Sequence, residues 1–96
     1  MLNWSLRCNQ TPYGDIYAMA LRLRQLQAFE AVATTGSVTR AAASLSISQP
    51  AVSRLLSSFS DKIAFDLFIR KNGQLLPTQE ARLLLGEVSR VLEGLK

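Results

Sequence analysis

Residues 46–56 read SISQPAVSRLL. Ile47, Val52, Leu55 and Leu56 keep helical spacing, yet Pro50 stands among them. Proline is tolerated in a first helical turn, where its missing N–H has no intrahelical partner to lose. Ser48, two residues earlier, is a good N-cap. The run therefore predicts a helix over residues 49–63. It carries two unlike faces. Val52, Leu55, Leu56, Phe59 and Ile63 form an apolar face, and Gln49, Pro50, Ser53, Arg54 and Ser57 form a polar one.

The neighbouring segments fit around this helix. Upstream, Ser37 caps a short helix, VTRAAASL, whose inner face is Ala41, Ala42 and Leu45. Ala41 and Ala42 are small, as two helices crossing steeply at a short turn require. With Ile47, Val52 and Leu55 beneath the pair, the arrangement is a helix-turn-helix. Ser46 stands where such a turn usually has glycine. Before it, Leu26, Phe29, Val32 and Ala33 recur at helical spacing, and Gly36 marks a helix stop. Downstream, FDLFIR and QLLPT are two short extended runs around KNG. Asn72-Gly73 suits a tight hairpin turn, because both residues tolerate positive φ. Thr78 then caps a last helix. Its residues Leu84, Val88, Val91 and Leu95 step by four, three and four, a coiled-coil-like stripe.

Composition excludes several classes of function. The chain has 96 residues, one small domain, with 48% hydrophobic residues and a net charge of +4. It has no histidine and one cysteine, Cys8. That removes Ser-His and Cys-His nucleophile pairs, an internal disulfide framework and most zinc sites. No phosphate-binding glycine loop, membrane-length apolar run or signal-peptide core is present. The acids Asp15, Glu30, Asp61, Asp66, Glu80, Glu87 and Glu93 form no metal or acid–base set. No catalytic residue, metal site or cofactor is expected, and a cytoplasmic location is the default.

The polar face of the 49–63 helix carries the functional reading. A solvated helix face usually bears Glu and Lys in quantity. This one bears short side chains and almost no acid, which leaves a surface clear for close approach. Ser and Gln can hydrogen-bond base edges, and Arg54 can reach guanine or phosphate. Ser48 lies at the helix N-terminus, whose free N–H groups favour a nearby phosphate. Arg70 and Lys71 flank the Asn72-Gly73 turn and would form a basic wing tip beside this helix. The expected partner is double-stranded DNA. The expected contacts are Ser48, Gln49, Pro50, Ser53, Arg54, Ser57, Arg70 and Lys71.

The stretch LRQLQAFEAVATTGSVTRAAASLSISQPAVSRLL, with Leu67, Phe68 and Arg70 and then Pro77-Thr78, resembles the N-terminal domain of LysR-type transcriptional regulators. The resemblance covers residues 21–96. It implies a mostly α fold: a winged helix-turn-helix with a two-stranded β wing and a C-terminal linker helix that dimerises. By resemblance, Gln49, Pro50, Ser53 and Arg54 match groove-facing positions and Arg70 a wing phosphate contact. There are departures. Phe59-Ser60 replaces a usual Leu-Glu, and Ala64 and Ala81 replace common glycines. If Ala64 needs positive φ, it costs on the order of 1 kcal/mol. Such regulators continue into an effector-binding domain, which is absent from this chain.

The expected organisation is a flexible extension over residues 1–20, a winged helix-turn-helix over 21–78 with its wing at 67–77, and a linker helix over 79–96. Met19 is a candidate natural start. Homodimerisation is expected through Leu84, Val88, Val91 and Leu95. Two alternatives stay open. The last helix could fold back on the domain's own core, or the chain could serve as an interaction module without useful DNA binding.

Overall fold

The structure, a computed structural model, describes residues 14–95. Four helices and one hairpin follow in order: α1 Gly14–Thr35, α2 Val38–Leu45, α3 Gln49–Ser60, β1 Phe68–Lys71, β2 Gln74–Pro77 and α4 Gln79–Glu93. The strands pair antiparallel, with Phe68 opposite Pro77 and Lys71 opposite Gln74.

Helix α1 is the axis of the molecule because both of its flanks are apolar. One flank, Ala28 and Val32, packs against Ala41, Ala42 and Val52 of the α2–α3 pair. The other, Phe29, packs with Phe59, Leu67, Ala81 and Val88, joining the end of α3, the root of the wing and α4. The Phe29 ring lies 5.4 Å from that of Phe59 and 5.7 Å from that of Phe68, within the range of favourable aromatic pairs. Ala41 and Ala42 are buried, and the small side chains let α2 and α3 approach closely.

Short side chains set the boundaries. The hydroxyls of Ser37, Ser48 and Thr78 accept the N–H groups of Arg40, Ala51 and Ala81, capping α2, α3 and α4. Gly36 ends α1 at φ 73°, and its N–H donates to the Val32 carbonyl. Ser46 ends α2 in the left-handed region, at φ 58° and ψ 40°. Its N–H donates to Ala43 and that of Ile47 to Ala42, so the last carbonyls of α2 are satisfied. At the hairpin tip Asn72 and Gly73 have φ 53° and 77°, a pair of positive values suited to a two-residue turn.

Three expectations need correction, and the condition raised for Ala64 is not met. Helix α1 begins at Gly14, so residues 14–20 are helical rather than a structureless extension; residues 1–13 lie outside those described. Helix formers such as Ala18, Met19 and Ala20 carry the helix on without burial, and Met19 and Leu21 are exposed. Helix α3 stops at Ser60 rather than residue 63. There the N–H groups of Asp61, Lys62 and Ile63 turn back to Ser57, Phe59 and Ser60, and the last two bonds have a tighter 3₁₀ pattern. Ala64 is not among the described residues with positive φ, so the left-handed penalty falls on Ser46 instead. Helix α4 stops at Glu93, leaving Leu95 in the closing turn.

Candidate nucleic-acid interface

Helix α3 buries Val52 and Phe59 on one side. The opposite side holds Gln49, Pro50, Ser53, Arg54 and Ser57, all exposed. Ser48, also exposed, spends one lone pair on its cap bond to Ala51 at 3.2 Å and keeps its hydroxyl proton. The apolar stripe dictates this facing: burying Val52 under α1 and α2 turns the residues about half a turn away toward water.

Arg70 and Lys71 lie exposed on β1, opposite Leu75 and Gln74. A Cβ added at Gly73 would meet nothing within 4 Å, so the tip is open to an approaching molecule. The wing is held to the body by the Leu75 N–H, which donates to the Gly36 carbonyl at 3.0 Å.

That bond brings in residues the sequence reading missed. Gly36, Ser37, Val38 and Thr39, at the start of α2, line a cleft of about 240 Å³ together with Arg70, Gly73 and Leu75. The first N–H groups of a helix lack intrahelical acceptors and attract anions. An arginine facing them across a cleft completes surroundings suited to a phosphate. A signal was present in the sequence: α2 and α3 carry no acidic residue in their first turns, where α4 carries Glu80. Aspartate or glutamate there would stabilise the helix and repel an anion. From Ala31 to Ser60 the chain has Arg40 and Arg54 and no acid at all.

The four expected pairing residues separate. Val88 is 3% exposed and belongs to the chain's own core, with Leu84 half-buried beside it. Val91 and Leu95 are 50% and 62% exposed, as is Leu83 at 75%. The Ser89 hydroxyl donates to Glu30 at 2.8 Å and pins α4 to α1, which turns Val88 inward. Among the described residues no group of His, Cys, Asp and Glu is placed to hold a metal, and no helix is long and apolar enough to cross a membrane.

Three helices, a close α2–α3 corner and a basic two-stranded hairpin define a winged helix-turn-helix protein. The family profile of bacterial regulatory helix-turn-helix proteins, lysR family, matches residues 23–82. The chain belongs to that family. It is 43% identical over 76 residues to the HTH-type transcriptional regulator DgcR of Pseudoalteromonas, covering 79% of this chain and 26% of that protein. It is 46% identical over 76 residues to the transcriptional activator protein LysR of Escherichia coli, covering 79% and 24%. The chain thus spans about a quarter of the length of these curated relatives. Among solved structures, the CbnR DNA-binding domain in complex with DNA matches with a TM-score of 0.68 and 31% identity, over 74% of this chain and 82% of that one. The BenM DNA-binding domain on benA site 1 DNA matches with a TM-score of 0.70 and 29% identity, over 76% and 82%.

Proposed function

We propose that this chain is the DNA-reading unit of a transcriptional regulator rather than an enzyme, working in the cytoplasm. Helix α3 lies in the major groove, with Gln49, Ser53, Arg54 and Ser57 at base edges or adjacent phosphates. Arg70 and Lys71 hold the backbone or minor groove from the wing. The unit that reads DNA is residues 21–78, and residues 79–96, which open with α4, are a linker segment through which two copies pair. The carrying observation is the exposed, acid-free row on α3, set opposite Val52 and Phe59 and backed by a basic wing in the same fold.

The chemistry follows from the arrangement. Phosphate contacts position a protein on the duplex, and base-edge contacts specify the sequence. Short serines let the α3 backbone come close, and Arg54 supplies the long donor. Pairing through Val91 and Leu95 would set two α3 helices on successive major grooves, about 34 Å apart or a multiple, and call for an inverted-repeat site.

Electrophoretic mobility shift with the isolated chain tests the reading, using duplexes selected from random DNA. The expected result is enrichment of an inverted repeat. With about three cations per copy on phosphate, two copies should give a salt slope near −5. Failure to retard any duplex at low salt would refute DNA binding and favour the interaction-module reading.

A further inference from the structure

Thr78 ties three segments together. Its hydroxyl donates to the Asp66 carbonyl at 2.6 Å and accepts the Ala81 N–H at 3.1 Å. Its own N–H donates to the Leu67 carbonyl at 3.0 Å. The register pairs Phe68 with Pro77, so Thr78 stands one position beyond the hairpin, at its root. One residue therefore joins the chain entering β1, the end of β2 and the first turn of α4.

The root controls where the tip goes. Four strand residues at about 3.3 Å each put the tip about 13 Å away. A tilt of about ten degrees at the root would carry it by about 2 Å, beyond hydrogen-bond tolerance. Other contacts also hold the wing: the Leu75–Gly36 bond, the tilted contact of the Phe68 ring with that of Phe29, and the packing of Leu67 with Ala81 and Val88. The first two tie it to α1 and the turn that follows, and the third is non-directional apolar packing against α4. Thr78 ties it to α4, which Ser89 in turn pins to Glu30.

We propose that Thr78 is a positioning residue for the wing's DNA contact. It sets the angle of β1 and β2 against α4, so that Arg70 and Lys71 meet the backbone while Arg54 occupies the groove. This rests on the DNA-binding reading above. A residue that only capped α4 would need no bond to Asp66, which lies outside the helix. Serine keeps both hydroxyl bonds at this position; valine keeps the branched shape and removes both.

The test is affinity for a selected duplex across a salt series, for wild type, Thr78→Ser and Thr78→Val. Each is also made in an Arg70→Ala/Lys71→Ala background and in an Arg54→Ala background. All are compared at a temperature where circular dichroism shows them folded. Thr78→Ser should bind as wild type. Thr78→Val should lose about tenfold in affinity and about one unit of salt slope. That loss should shrink to within about twofold when Arg70 and Lys71 are absent and persist in full when Arg54 is absent, because Thr78 acts on the wing cations through the backbone of the hairpin they share, whereas Arg54 stands on a separate helix. Should the valine variant not fold, Thr78→Asp keeps the cap acceptor without the donor and should show the same dependence on Arg70 and Lys71. A folded variant with undiminished affinity, or an equal loss in all backgrounds, would overturn the positioning role alone. A wild-type chain that binds no DNA would overturn the DNA-binding reading and this role with it.

Discussion

Replacing Ser46 by glycine should stabilise the domain, although Ser46 lies in the turn between the two helices of the reading head. Ser46 closes α2 at φ 58° and ψ 40°. An L-residue with a Cβ pays roughly 1–2 kcal/mol in that region, and glycine pays almost nothing. Against this gain stands the greater freedom of glycine in the unfolded chain, about 0.4–1 kcal/mol. The balance is about 0.5–1 kcal/mol in favour of Ser46→Gly. For a domain of this size that corresponds to a rise in Tm of roughly 3–6 °C. The side chain is exposed, so no packing is lost, and the bonds from the 46 and 47 N–H groups to Ala43 and Ala42 need no hydroxyl. Ser46→Val should have the opposite sign, because β-branching crowds the left-handed region further. The assay is thermal melting by circular dichroism, with all variants at one protein concentration, since pairing makes Tm concentration-dependent. A Ser46→Gly variant that melts at or below the wild-type temperature would show that the left-handed turn is not where the strain lies.

Three further predictions concern the interface and the last helix. Arg54→Ala should weaken specific DNA binding by about 1–3 kcal/mol and leave the fold intact, since the residue is exposed; unchanged affinity at matched salt would remove Arg54 from the contact. Arg70→Ala should weaken specific and non-specific duplexes by similar factors and, with both copies of a pair altered, lower the salt slope by about two units, whereas a loss confined to one base preference would contradict a phosphate contact. Val91→Lys with Leu95→Lys should yield a folded monomer that binds one half-site weakly, read by sedimentation and mobility shift. Val88 is unsuitable for that experiment: buried against Phe29 and Phe59, a lysine there would unfold the domain. A wild-type chain that stays monomeric at high micromolar concentration, with and without DNA, would rule out pairing through these residues.

Much of this molecule was legible in the chain because the relevant interactions are local. Ser37, Ser48 and Thr78 cap the residues three positions ahead, Gly36 and Asn72-Gly73 meet a positive φ at their own positions, and Val52 and Phe59 identify the inner face of α3 by spacing alone. The exposure of Gln49, Pro50, Ser53, Arg54 and Ser57 was legible for the same reason: burying one helix face exposes the other. Tertiary structure decided the rest. Met19 and Leu21 extend α1 without packing, so no apolar period announces those turns. Ile63 continues the apolar spacing of α3, but the chain has already turned, and the Lys62 ammonium donates to Gln25 at 3.5 Å on α1. The cleft of Ser37 and Thr39 with Arg70 exists because Leu75 bonds Gly36 across the fold. On α4, a stripe stepping by four and three serves a partner helix or the chain's own body equally well. Only the rotation of α4 against Phe29 and Phe59, held by the Ser89–Glu30 bond, assigns Val88 to the core and leaves Val91 and Leu95 in water. Spacing along a helix records which residues share a face; which body covers that face depends on groups far apart in sequence, and folding alone brings those together.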